Sequence, residues 1–146
     1  GVFQCLGFDC RLSRKGTNYQ RADAIIVDNG GSMPIEIKSP GEEVEISVKA
    51  VRQALENKIV LMARKHYPGA PKDTSLVVGY KPPNDRSEVH ELVEDVYCAF
   101  GVRIGIIDFR SLLFFAFRAH AVGRAITLEN LKQLKGLIDV EYSPAK

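Results

Sequence analysis

Residues 22–38 place the tightest constraint on what this chain can fold into. Ala22-Asp23-Ala24-Ile25-Ile26-Val27 is short and rich in β-branched residues, and Pro34-Ile35-Glu36-Ile37-Lys38 alternates apolar with charged groups. Asn29-Gly30-Gly31-Ser32 between them is a turn signal, so the two runs read as an antiparallel hairpin. A four-residue loop, 29 to 32, pairs Asp28 with Met33 and sets Asp23 opposite Lys38 and Ile25 opposite Glu36. Directly opposed residues share a face, as do residues two apart on one strand. Asp23, Glu36 and Lys38 are therefore expected on one side of the sheet, and a slip of one residue would part them.

The rest of the chain supplies the layers around that hairpin. Residues 2–6 read as the last turn of a helix stopped by Gly7, and 9–13 as a short extended segment. Val48, Val51, Leu55, Ile59 and Met62 fall at helical spacing and predict one buried stripe. Ser75–Tyr80 and Val102–Ile107 read as buried strands. Asp85 with Glu88 resembles a capping box ahead of a helix carrying Val89, Leu92, Val93, Val96 and Tyr97. Asp108 is a cap for a helix reaching about His120, and Thr127 for a last helix through Leu128, Leu131, Leu134 and Leu137. Hairpin-linked strands first and alternating units later predict an α/β fold: a mixed β-sheet with helices on both faces.

Two carboxylates and an amine on an otherwise apolar strand face repel or desolvate one another without a purpose. A divalent cation removes the conflict. Mg²⁺ takes one or two protein carboxylates, keeps several waters and adds phosphate oxygens. Asp23 and Glu36 are the candidate metal ligands, with the Ile37 carbonyl a further oxygen, and Lys38 is placed to assist a metal-bound water and to stabilise charge on a phosphate. Glu56-Asn57-Lys58 also fits acid-x-Lys, but it lies in the predicted helix, where positions two apart do not share a face. The competing reading is a solvated strand face with ordinary surface charges.

Arg21-Ala22-Asp23 followed by Glu36-Ile37-Lys38 resembles the PD-(D/E)xK nuclease superfamily, and the order of elements is similar to its restriction-endonuclease-like core. More narrowly, the layout resembles the cleavage domain of FokI/AlwI-type (type IIS) restriction endonucleases. Ser13-Arg14-Lys15, Val51-Arg52-Gln53-Ala54 and Ile126-Thr127-Leu128-Glu129 resemble that family's basic stretch, Gln-Ala pair and last helix. The resemblance implies a Mg²⁺-dependent DNA endonuclease, with Mn²⁺ able to substitute. Asp23 and Glu36 would hold metal, Lys38 would assist the nucleophile, and Gln53 would orient the metal site or a phosphate. The implied partners are double-stranded DNA and a DNA-recognition domain or second nuclease subunit. Ala22 stands where the motif name has Pro. The helix that precedes this core in the family is mostly missing, so residues 1–146 read as a single cleavage domain cut from a longer chain. Leu55 and Ile59 occupy the region where FokI-like domains carry opposite pairing charges.

Arg11, Arg14, Lys15 and Arg21 lie within eleven residues ahead of Asp23 and are candidate phosphate contacts, with Tyr19 among them. A solvated loop is the alternative. Arg103, Arg110, Arg118 and Arg124 offer a second strip, read first as surface charge, and the acidic run Glu88, Glu91, Glu94 and Asp95 should face away from DNA. Phe114, Phe115 and Phe117 read as core or an interface, core first. The net charge of +2 excludes a histone-like polycation. Three irregularly spaced cysteines make neither a disulfide framework nor a zinc site, which points to a reducing, cytoplasmic setting. No apolar run approaches a membrane span. Other nucleases of the same fold, such as junction resolvases or repair nickases, and a non-catalytic nuclease-like DNA-binding subunit are the rival readings.

Overall fold

The computed structural model describes residues 1–12, 22–28, 31–64, 73–124 and 126–138. Strands β1 (Asp9–Leu12), β2 (Ala24–Asp28) and β3 (Gly31–Ile37) form an antiparallel meander. Strands β4 (Ser75–Gly79), β5 (Ile104–Asp108) and β6 (Gly136–Leu137) then add in parallel, in the order β1-β2-β3-β4-β5-β6. The parallel steps require crossovers, which the helices provide.

Alternation along the strands divides the sheet into two apolar faces. On one face Val77, Ile104 and Ile106 pack against Ala50, Val51 and Ala54 of helix α2 (Val48–Met62) and Val89, Val93 and Val96 of helix α3 (Val89–Phe100). On the other, Ala24, Ile26, Met33, Ile35, Leu76, Val78 and Ile107 meet Leu112 of helix α4 (Phe109–Val122) and Leu128 and Leu131 of the short helix α5 (Leu128–Leu131). Helix α1 (Val2–Cys5) adds Val2 and Phe3 to this second face. The expected mixed sheet covered on both sides is what forms. No helix among the described residues is long and apolar enough to cross a membrane.

Several local expectations are corrected. In the hairpin Asp28 pairs with Gly31 rather than Met33, and Ile25 with Pro34 rather than Glu36. The register has moved by two residues, an even number, so every side chain keeps its face. Helix α2 buries Ala50, Val51, Ala54, Asn57, Lys58 and Leu61, whereas Ile59 and Met62 are exposed. Both of those belong to the stripe expected to be buried. The small residues Ala50 and Ala54 win because they let the helix sit close to the sheet, and two polar residues occupy the same face. Helix α3 starts at Val89 with no side-chain cap from Glu88; Ser87 Oγ accepts from Val89 N instead, so the Asp85–Glu88 box does not form. The last helix ends at Leu131, and Leu137 instead lies in β6, where the chain takes the edge of the sheet next to Ile106. Phe115 packs on the second core, but Phe114 and Phe117 are exposed.

Candidate active site

The site is built where β3 ends. The β2–β3 ladder runs from Asp28↔Gly31 to Ala24↔Ile35, and one further step sets Asp23 opposite Glu36. Ile25, two residues from Asp23, packs with Leu61 of α2, so this is the face that α2 covers. The backbone N–H of Ile37 donates to Asp23 Oδ2 at 2.8 Å. In a strand the N–H and C=O of one residue point toward the same neighbour. The Ile37 carbonyl is therefore directed to the side where the Asp23 carboxylate lies, and the Ile37 side chain is exposed on the opposite face.

Glu36 is buried, and each of its carboxylate oxygens has a partner. Lys38 Nζ lies 2.7 Å from Oε1, with the two side chains only 9% and 5% exposed. Asn57 Nδ2 donates to Oε2 at 2.7 Å. Burial is the largest single influence on the Lys38 ammonium and pulls its pKa down. The hydrogen bond to Glu36 and the charges of Glu36, Glu42 and Asp23 together outweigh it, so the pKa is raised above the ordinary lysine value. Lys38 is thus an ammonium here, a positive charge and hydrogen-bond donor. Glu42 is fixed in turn by Ser39, whose N–H and Oγ both donate to its Oε2 at 2.9 Å.

Gln53 lies one helical turn before Asn57, on the same side of α2. Because α2 runs back along the sheet between parallel strands, that turn is displaced from Glu36 toward Lys38. Gln53 Oε1 is buried and has no hydrogen-bond partner. An orphaned buried acceptor on the helix face that carries Asn57 calls for a donor such as a water. Among the described residues no three His, Cys, Asp or Glu side chains cluster as a metal cage. The side-chain donor set is the pair Asp23 and Glu36, all oxygen, and with the Ile37 carbonyl it fits the few hard ligands that Mg²⁺ takes from a protein. Two carboxylates against one ammonium also leave a negative charge in excess, which attracts a cation.

The structure brings together Asp23, Glu36, Ile37 and Lys38 at the end of β3, with Gln53 on the helix above. Arg11 is placed differently from the expected loop. It lies in β1 opposite Ile25, on the same face as Asp23, and its guanidinium pairs with Asp9 at 2.8 Å on the exposed edge of the sheet. Arg14, Lys15, Tyr19 and Arg21 lie outside the described residues. Asn57 is the residue that sequence reasoning missed. It sits inside Glu56-Asn57-Lys58, whose acid-x-Lys pattern falls in a helix, and its signal is the four-residue spacing from Gln53. Its neighbour Lys58 is fully buried, and its Nζ has no hydrogen-bond partner. Burial pushes the Lys58 pKa down; the charge of Asp73 acts against this and that of Lys132 with it. Comparison with protein-family models, curated proteins and solved structures returns no match.

Proposed function

We propose that this chain is a metal-dependent DNA endonuclease, hydrolysing phosphodiester bonds as the cleavage domain or subunit of a restriction enzyme with a restriction-endonuclease-like core. The observation that carries the reading is the convergence of Asp23, Glu36 and Lys38 on one sheet face at the end of β3, with Ile37 N–H bonded to Asp23 and Lys38 bonded to Glu36. Mg²⁺, or Mn²⁺ in its place, supplies an acidified water and a Lewis acid for the phosphoryl oxygens when bound. The residues of the chain do the rest. Asp23 and Glu36 supply carboxylate oxygens, Asn57 and the Ile37 amide fix the rotation of those carboxylates, and Lys38 faces the phosphate as a cation. In hydrolysis the water oxygen forms the new P–O bond, the old P–O bond breaks, and the departing oxygen takes up a proton. Lys38 is placed to offset the charge that builds on the phosphate during that exchange.

One such domain carries one catalytic set, so alone it cuts one strand; a double-strand break takes a second nuclease subunit. The test is nicking of supercoiled plasmid in Mg²⁺ or Mn²⁺ by the wild type, lost in Asp23→Ala and Lys38→Ala proteins that remain folded by circular dichroism. Four-way junctions run in the same assay separate a resolvase from a restriction cleavage domain. The engagement of both Glu36 oxygens by Lys38 and Asn57 also suits a silent, nuclease-like subunit that positions DNA without cutting it. Absence of nicking under every metal condition, with DNA binding intact, would establish that role and end the enzymatic one.

A further inference from the structure

Helix α4 turns an apolar stripe to solvent. Phe109, Leu113 and Phe117 recur every four residues and are 47%, 45% and 70% exposed, with Phe114 beside them. Ser111, Leu112 and Ala116 are buried on the face that meets the sheet. Helix α3 shows how this chain dresses a helix that faces water, with Glu91, Glu94 and Asp95 on its exposed side. Helix α4, from Phe109 to Val122, holds no acid. The stripe continues past the head of the helix into a recess of about 400 Å³, lined by Tyr80, Phe109 and Leu137 together with charges of both signs. Tyr80, Leu137 and Phe114 are 39% to 48% exposed.

The stripe reads the same in both directions: Phe, Leu and Phe at four-residue steps, with Leu113 at the centre. A two-fold axis through Leu113 sets α4 antiparallel to its copy, with Leu113 on Leu113 and each Phe109 beside the other copy's Phe117. Such a contact is self-complementary, as a closed dimer requires. The two aromatic pairs lie ~6 Å to either side of the axis. Phe117, the most exposed of the set, then stands at the mouth of the other copy's recess, an aromatic anchor with a pocket to fill. In the same register Arg110 falls opposite Ala116 and Arg118 opposite Asp108, so the arginines do not oppose each other. At ~200 Å² for a whole aromatic side chain and rather less for leucine, the six apolar residues present roughly 500 Å². That is at the upper end for a patch on a monomer. Two copies would bury roughly 1,000 Å², the lower limit for a specific interface.

We propose that a second copy of this chain docks on α4, forming a two-fold dimer through Phe109, Leu113 and Phe117. The contact stands apart from the nuclease reading: Asp23, Glu36 and Lys38 lie on the α2 side of the sheet and stay uncovered in the pair. The experiment is sedimentation equilibrium of the full chain across a concentration series. The expected result is a rise from 16.2 kDa to twice that mass, half complete at ~10–100 µM, as an interface at the small end of the range gives. Leu113→Glu and Phe117→Glu, both at exposed positions and checked for folding by circular dichroism, should stay monomeric throughout. Ile59→Glu, on the exposed side of α2, should dimerise like the wild type. As a second readout, the exposed thiols of Cys5 and Cys98 are replaced by serine. In that background Leu113→Cys should give a disulfide-linked dimer on mild oxidation, and Ile59→Cys should not. A chain that is monomeric at every concentration overturns the inference and leaves the stripe to a different partner. So does a dimer that both glutamate variants preserve, a crosslink through residue 59 but not 113, or growth past the dimer, the mark of a head-to-tail contact.

Discussion

Replacing Lys38 with methionine should destabilise the metal-free protein and do so much less in saturating Mg²⁺. Lys38 and Glu36 form an ion pair at 2.7 Å with both side chains at least nine-tenths buried. Removing one partner of such a pair costs about 3–5 kcal/mol, because the survivor is left as an uncompensated buried charge. Asn57 continues to satisfy Glu36 Oε2, so the lower end, about 3 kcal/mol, is the expected value. For a chain near this size that corresponds to a fall in Tm of roughly 6–12 °C. Near pH 7 the pair is intact in the wild type. A raised lysine pKa gives stability that is fully present below the ordinary value of 10.5 and lost only as pH rises through the higher folded value. A divalent cation between Asp23 and Glu36 supplies the compensating charge that a thioether side chain cannot. With metal in large excess over its Kd, stabilisation of about 3 kcal/mol is available. The measurement is thermal unfolding of wild type and K38M in EDTA and across a Mg²⁺ or Ca²⁺ titration. If the deficit of K38M is the same with and without metal, or if metal leaves the wild-type Tm unmoved, Glu36 is a structural anion and the metal reading is wrong.

The remaining predictions concern the helix above the site and the loop beside it. Lys58→Met should stabilise the fold by about 1–3 kcal/mol, since it removes a buried donor that has no partner while keeping most of the apolar stem. The folded pKa of Lys58 lies below 10.5, so the unfolded chain holds the extra proton over that interval and wild-type stability rises with pH there. The advantage of K58M should therefore shrink as pH climbs toward 10.5, and chemical denaturation at several pH values would expose a constant or growing difference as a refutation. Asn57→Ala should cost about 1.5–3 kcal/mol by leaving Glu36 Oε2 without its donor, and should raise the metal concentration needed for half-maximal nicking. An unchanged metal requirement would reduce Asn57 to a packing residue. Gly79→Ala places a Cβ 2.3 Å from Ile46 Cγ1, inside the core that α2 makes with the sheet, and should lower stability by roughly 1–3 kcal/mol in the same unfolding assay.

Strands are more legible than helix faces, for a physical reason. β2, β3, β4 and β5 carry β-branched runs or a two-residue alternation that fits no other period. Asp108 announces its own role, since a carboxylate ahead of an apolar run has the N–H groups of a first helical turn to bond, and it bonds Ser111 N. In helix α2 the large apolar residues mark one face and the structure buries a different one, turned partly away from it. Close approach to the sheet selects Ala50 and Ala54, and Ser75 Oγ donates to the Ala54 carbonyl at 2.7 Å at that contact. Ile59 and Met62 are left outside. A sequence shows how apolar a residue is but not how near the neighbouring layer comes, and that distance decides between alanine and isoleucine. β6 is hidden for the same kind of reason: a two-residue strand has no period, and only the vacant edge of β5 makes it one.

The candidate site survives a wrong register because side-chain direction in a strand depends on parity alone. The pairing expected from the turn puts Asp23 opposite Lys38; the observed ladder, continued one step, puts it opposite Glu36. A shift of two conserves the face and changes only the neighbour. The new neighbour is the more demanding one, since it sets two carboxylates across from each other rather than a carboxylate and an amine. Like charges directly opposed destabilise a sheet. The structure meets that cost by turning each carboxylate to a different donor: Asp23 to the Ile37 amide, Glu36 to Lys38 and Asn57. Neither donor to Glu36 would be needed on an ordinary strand face, where water would serve. Burial of Glu36 with Lys38, under Asn57 of α2 and with Gln53 of the same helix left holding an unanswered acceptor, is what separates a site from a surface. Sequence spacing nominates Asp23, Glu36 and Lys38. For Asn57 the spacing offers only its place four residues after Gln53, because the need for that residue arises only once Glu36 has been carried out of water.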